Sequence, residues 1–150
     1  MPTRGHERGF TIFELIVVIS LASVLAAIGA LSHTAMRPGL DLSAAARQIV
    51  MDLKVARMRA ATNGVNHRIV FPPGGDGYQP QRQNGAAYTD VGGPVHLPRD
   101  IVVADCTANN DAIGFRPRGN AASFGTVTLR NRRGEVRQVV VNINGQVRVQ

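Results

Sequence analysis

One carboxylate stands alone in the most apolar part of this chain. Glu14 is the only charged residue in the 23 residues from Phe10 to Ser32, FTIFELIVVISLASVLAAIGALS. A carboxylate in mid-membrane costs roughly 2.5–3.5 kcal/mol, so Glu14 needs a cation or the positive end of a helix dipole. The second set of chemistry-bearing residues is basic. From residue 112 onward, Arg116, Arg118, Arg130, Arg132, Arg133, Arg137 and Arg148 face a single acid, Glu135, which puts +6 of the net +7 there. Arg130, Arg132 and Arg133 fall in RNRRGE, which reads as an exposed hairpin tip able to contact a phosphate backbone or an acidic partner. Bond-breaking chemistry has no comparable support. No Ser, Cys or Asp sits in a nucleophile motif, and His6, His33, His67 and His96 lack metal-ligand spacing. The one cysteine, Cys106, builds neither an intrachain disulfide nor a thiolate zinc site. The expectation is a protein without catalysis, metal or cofactor, in which Cys106 is a small buried side chain or a free thiol.

These residues must be positioned by one domain, since 150 residues allow little more, and 44% hydrophobic against 18% charged residues is a globular composition. As a helix, residues 10–32 would extend roughly 35 Å, enough for a hydrocarbon core of about 30 Å. Arg4 and Arg8 precede the stretch, which predicts a cytoplasmic N-terminus and an exported remainder. A cleaved secretory signal is the alternative, with Ala27-Ile28-Gly29 as a small-x-small site, but such a signal gains nothing from Glu14. Ala22, Ala26 and Ala30 recur every four residues and flatten one helix face for close helix packing in lipid.

Arg8-Gly9-Phe10-Thr11-Ile12-Phe13-Glu14-Leu15, followed by the apolar run, resembles the class III signal of type IV prepilins and type II secretion pseudopilins. The resemblance implies that prepilin peptidase cuts between Gly9 and Phe10, methylates the new amine of Phe10 and leaves 141 residues with the helix retained. Cleavage would turn a neutral amide into an amine with a pKa near 8, a cation at neutral pH. Glu14 lies one helical turn away and can pair with its own Phe10 or with that of a staggered neighbour. Such a pair at about 4 Å and an effective dielectric near 20 gains roughly 4 kcal/mol before desolvation, comparable to the cost of the lone carboxylate. A simpler role for Glu14 is to complement the helix dipole.

Beyond the apolar run, Pro38-Gly39 and Asp41 predict a kink or short break near residues 37–40. Leu42, Ala46, Ile49, Leu53, Ala56 and Ala60 then repeat at helical steps up to Asn63-Gly64. Strand character follows at 65–71, 78–83, 100–104, 112–115, 126–130, 136–143 and 146–149, with 84–98 read as a long loop. Val139, Val141, Ile143, Val147 and Val149 alternate with polar residues and should face the core. The expected fold is α+β: a long N-terminal helix, transmembrane then amphipathic, packed on a C-terminal antiparallel β-sheet head. Its parts are a leader (1–9), a membrane or filament-core helix (10–32), its amphipathic continuation (33–64) and a periplasmic head (65–150).

The head runs Phe115-Arg116-Pro117-Arg118-Gly119, Gly125 to Leu129, Gly134 to Val141 and Gly145 to Val149 resemble the GspH/FimT family. That implies a minor subunit of a type II secretion pseudopilus in the bacterial inner membrane. Its partners would be prepilin peptidase, other major and minor pilins, the inner-membrane assembly platform, the lipid bilayer and secreted cargo. The alternative is a type IV pilus subunit that binds DNA through its basic C-terminal region. Against the Gly-Arg-x-Arg ending of DNA-binding members, this chain has Gly145-Gln146-Val147-Arg148, and it has no Trp for base stacking.

Overall fold

A computed structural model describes residues 11–150, with side chains for 11–27 and 39–150. Gly9, Phe10 and the leader therefore lie outside the described residues.

A single helix, α1 (Ile12–Asn63), opens the structure. Thr11 caps it: its hydroxyl accepts the Glu14 N–H at 3.2 Å and its carbonyl accepts the Leu15 N–H at 3.1 Å. At the far end, the Gly64 N–H closes on the Ala60 carbonyl at 3.1 Å, as the Asn63-Gly64 signal predicts. The break expected near residues 37–40 is absent, because α1 continues through Pro38-Gly39. A proline removes only its own N–H from the helical ladder, and the turns on either side keep theirs. The chain nonetheless divides at this point into two compact units, Met1–Arg37 and Pro38–Gln150.

In the first unit every large apolar side chain from Ile12 to Leu25 is exposed. Ser20 and Ser23 turn their hydroxyls back onto the carbonyls of Ile16 and Ile19, each at 2.7 Å, so the outer surface of this stretch stays apolar. Among the described residues no helix is long and apolar enough to cross a membrane, and the span expected over 10–32 lies partly outside those residues.

The second unit folds around the amphipathic half of α1. Leu42, Ala45, Ala46, Ile49, Leu53, Ala56 and Ala60 are buried, and they include every position chosen from the periodicity. The alanines let the helix lie close to the strands. Those strands are β1 (His67–Val70), β2 (Gly77–Asn84), β3 (Ala87–Asp90), β4 (Val95–His96), β5 (Ile101–Cys106), β6 (Ala112–Phe115), β7 (Ala121–Ser123), β8 (Gly125–Asn131), β9 (Val136–Val141) and β10 (Val147–Val149). They form two antiparallel sheets. One has the order β3-β2-β1-β6-β7 with β4 paired to β2, and the other has the order β10-β9-β8-β5. The architecture is α+β, as the sequence predicts.

The presumed loop at 84–98 in fact contains β3 and β4. Asn84 pairs with Ala87 across a tight turn, and the chain returns along β2 before β4 adds to it. Short, exposed edge strands lack the alternation by which strands are recognised. The same limit hid β7. The inward alternation drawn through residue 149 is also corrected. Val139 and Val141 are buried, but Ile143 lies in the β9–β10 turn at 60% exposure and Val149 on the outer strand at 44%. Cys106 is buried in the core, and burial chiefly pushes its thiol up, so it behaves as a small apolar side chain.

A polar contact also ties helix and sheet within this core. The buried Tyr78 hydroxyl of β2 donates to the Asp52 carboxylate on α1, and burial followed by that bond pushes the phenol well above its ordinary value. The fold thus favours the protonated phenol. That stabilisation is complete below about pH 10 and is lost as pH rises beyond it. Tyr78→Phe should lower unfolding free energy by about 1–3 kcal/mol and remove this alkaline decline. Urea melts of the full-length protein in detergent at neutral and alkaline pH read both effects.

Candidate functional site

All seven C-terminal arginines are exposed. The fold divides them. Arg130, Arg132 and Arg133 surround the tip between β8 and β9, while Arg116 and Arg118 occupy the turn between β6 and β7. Arg137 sits on β9 opposite Leu129, and Arg148 on β10 opposite Val140. The fold thus distributes them in two clusters near opposite ends of β8. Seven strand residues at about 3.3 Å each separate those ends by roughly 20 Å.

The tip is built around a buried amide. Asn131 Oδ1 accepts the N–H groups of Arg133 and Glu135, each at 3.0 Å, and Asn131 Nδ2 donates to Glu135 Oε2 at 2.7 Å. A Cβ on Gly39 would stand 3.6 Å from that Glu135 oxygen, so the tip rests beside α1. The loop is held by hydrogen bonds of its own. Arg132 Nε donates to Asp100 Oδ1 at 2.7 Å. Asp100 holds φ +73, a left-handed conformation that Asp tolerates better than most residues. Arg99, Asp100, Arg130 and Arg132 line a cavity of about 680 Å³ whose floor includes Leu97 and Ile101. Arginines over an apolar floor suit an acidic segment that also carries apolar side chains.

The other cluster is assembled by a glycine. Gly145, at φ +76, approaches the Gly119 carbonyl so closely that a Cβ would collide with it, and its nearest side-chain neighbour is Arg57 of α1. The same Arg57 guanidinium lies 3.4–3.5 Å from where a Cβ on Gly119 would be. The turn bearing Arg116 and Arg118 is thereby brought beside the Gly145–Arg148 segment. At the N-terminus, Glu14 is exposed and occupies the third residue after the Thr11 cap.

A sequence profile described as Type II transport protein GspH matches residues 45–146. The chain belongs to the GspH family. A second profile, the prokaryotic N-terminal methylation motif, matches residues 4–30 of this GspH-family chain. Two solved structures of the minor pseudopilin EpsH from the type 2 secretion system of Vibrio cholerae share its fold. One aligns with a TM-score of 0.62 at 12% identity, covering 73% of this chain and 96% of EpsH, and the other with 0.61 at 10%, covering 73% and 92%. No curated protein matches the chain. The GspH family is one of type II transport proteins, and this chain is not an enzyme. Among the described residues no cluster of three His, Cys, Asp or Glu side chains could hold a metal ion.

Sequence reasoning passed over Arg57, Arg99, Asp100 and Asn131 as site elements of this GspH-family head, since their roles come from strand pairing and turn contacts. Thr11 was legible: Thr11-x-x-Glu14 has the spacing of a capping box. Asn131→Ala should cost about 1–3 kcal/mol, because two tip amides lose a buried acceptor. Arg132→Ala should cost less than about 1 kcal/mol, as an exposed ion pair contributes little. Equal losses in urea melts of the two full-length variants would mean that the ion pair, rather than the amide, holds the tip.

Proposed function

We propose that this GspH-family chain is a minor pseudopilin of type II secretion, cut by prepilin peptidase between Gly9 and Phe10, methylated at Phe10 and assembled into the periplasmic pseudopilus. The observation that carries this reading is the pairing, in one chain, of the methylation motif at 4–30 with the GspH match at 45–146. Residues 1–9 are the leader, 10–32 the membrane and filament-core helix, 33–64 its continuation and 65–150 the periplasmic head. The bare apolar surface of Ile12 to Leu25 supports burial of this stretch in the inner membrane, and then among other major and minor pilins. There Glu14 pairs with the Phe10 ammonium created by cleavage, of its own or a neighbouring subunit. The inner-membrane platform drives assembly, and the arginine tip over Asp100 contacts an acidic neighbouring subunit or secreted cargo. Gly9→Trp should block trimming in cells that carry the peptidase, so that intact-mass measurement finds the full 150 residues plus the substitution. Trimming at residue 10 in that variant refutes the assignment.

A second reading is favoured by one contact. Arg57 gathers the Arg116–Arg118 turn against the Gly145–Arg148 segment, and four phosphate contacts there would give a DNA-binding subunit of a type IV pilus. On that reading the full-length protein retards duplex DNA at about 50 mM salt, with log affinity falling against log salt at a slope of about −3.6. Joint replacement of Arg116, Arg118 and Arg148 by Ala should abolish the gel shift. Absence of retardation at low salt removes this reading and leaves the secretion assignment intact.

A further inference from the structure

The sheet of β3, β2, β1, β6 and β7, which is not the one that carries the arginine tip, holds a polar row of its own. His67 of β1 lies opposite Arg82 of β2, and Arg82 lies opposite Thr89 of β3. Residues directly paired across antiparallel strands project to the same face, so imidazole, guanidinium and hydroxyl stand in line. The last turns of α1 supply the facing wall through Arg59 and Asn63, with Asn63 Nδ2 3.2 Å from His67 Nε2. These groups enclose a cavity of about 530 Å³, which shares Arg59, His67 and Val91 with an adjoining one of about 220 Å³.

The electrostatics of this cavity are incomplete. His67 is only 4% exposed, and its ring is held below the usual histidine range first by burial, then by the charges of Arg59 and Arg82. Two cations face a neutral buried ring, an arrangement that an anion would relieve. Among the described residues neither arginine has a carboxylate within 4.0 Å. Asp90 lines the same cavity and sets one negative charge against the two arginines, leaving a net positive charge; its carboxylate also accepts from the Gln81 side-chain amide at 2.9 Å, and Asp52 in the adjoining cavity accepts from Tyr78. The entrance is open. Its lip is Val91-Gly92-Gly93, held to β2 by the Val91 N–H on the Pro80 carbonyl at 2.9 Å and by Gln79 Nε2 on the Gly92 carbonyl at 3.2 Å. Gly92, at φ +80, has empty space where a side chain would stand.

We infer that this cavity receives the carboxylate of an acidic side chain from a partner polypeptide, gripped by Arg59 and Arg82, with the Asn63 amide as a further donor. Paired guanidiniums match a planar carboxylate, and Val91 with Val55, Ala56 and Val95 of the adjoining cavity offers apolar wall for the methylene stem and neighbouring residues. The site is independent of the arginine tip and adds a second, separate point of partner contact on the head.

The test is a titration of histidine-labelled full-length protein in detergent with the peptide acetyl-Glu-Glu-Glu-amide, followed by NMR of the imidazole signals. His67, assigned through a His67→Gln variant, should shift saturably with the Glu peptide and stay unmoved by its Gln counterpart. Arg59→Gln and Arg82→Gln should each weaken binding about tenfold, the loss of one charge-assisted contact. Both arginines are exposed, so these variants keep the fold, while Arg116→Gln with Arg118→Gln should bind as the parent does. The proposal is overturned by an unmoved His67, by undiminished affinity in the two Gln variants, or by a shift with inorganic phosphate where the Glu peptide gives none.

Discussion

The head depends on the burial of one helix stripe. Leu42, Ile49 and Leu53, with the small residues Ala45, Ala46, Ala56 and Ala60, place α1 against the inner faces of both sheets, where Phe71, Tyr78, Phe115 and Leu129 complete the core. Burying each large side chain contributes about 1.5–3 kcal/mol relative to exposure. Because cores are close-packed, this seam also sets where every strand register falls relative to the helix. Arg57 can brace two turns, Asn63 can reach His67 and Asp52 can meet Tyr78 only because the stripe fixes the helix against the strands.

Charge is distributed by that scaffold with a consistency the composition conceals. Arginines leave the core at turns and strand ends, and each group has a different local support: a buried asparagine under Arg132 and Arg133, Arg57 beneath the Arg116–Arg118 turn, and a buried histidine between Arg59 and Arg82. A flexible arginine must lose side-chain entropy to bind, and rigid loops reduce part of that cost. The first unit presents bare apolar helix, while the head presents these polar surfaces. Apolar helices pack with many partners, whereas guanidinium geometry selects among carboxylates and phosphates.

Helix and sheet class were legible for different reasons. The period of the stripe, its end at Asn63-Gly64 and the switch to alternation beyond it all reflect local chemistry that survives without tertiary context. The lone Glu14 was equally plain, since a charge in an apolar run is costly wherever it folds. Strands β3, β4 and β7 were not legible, because each is a short edge held by its neighbour rather than by its own pattern. Helix continuity through Pro38 escaped a rule that treats proline as a stop, although a proline costs a helix only its own hydrogen bond and some steric strain.

From its residues alone, the chain determined its class, its apolar N-terminal helix, its buried stripe and its excess of arginine. Those properties depend on residue type and near-neighbour spacing. Which arginines stand together was decided only by the tertiary structure, as was the pairing of Asp100 with Arg132 and the encirclement of His67 by side chains from α1, β2 and β3. Positions that far apart in sequence meet through strand register and turn geometry, and a single-residue slip in either would send each side chain to the opposite face.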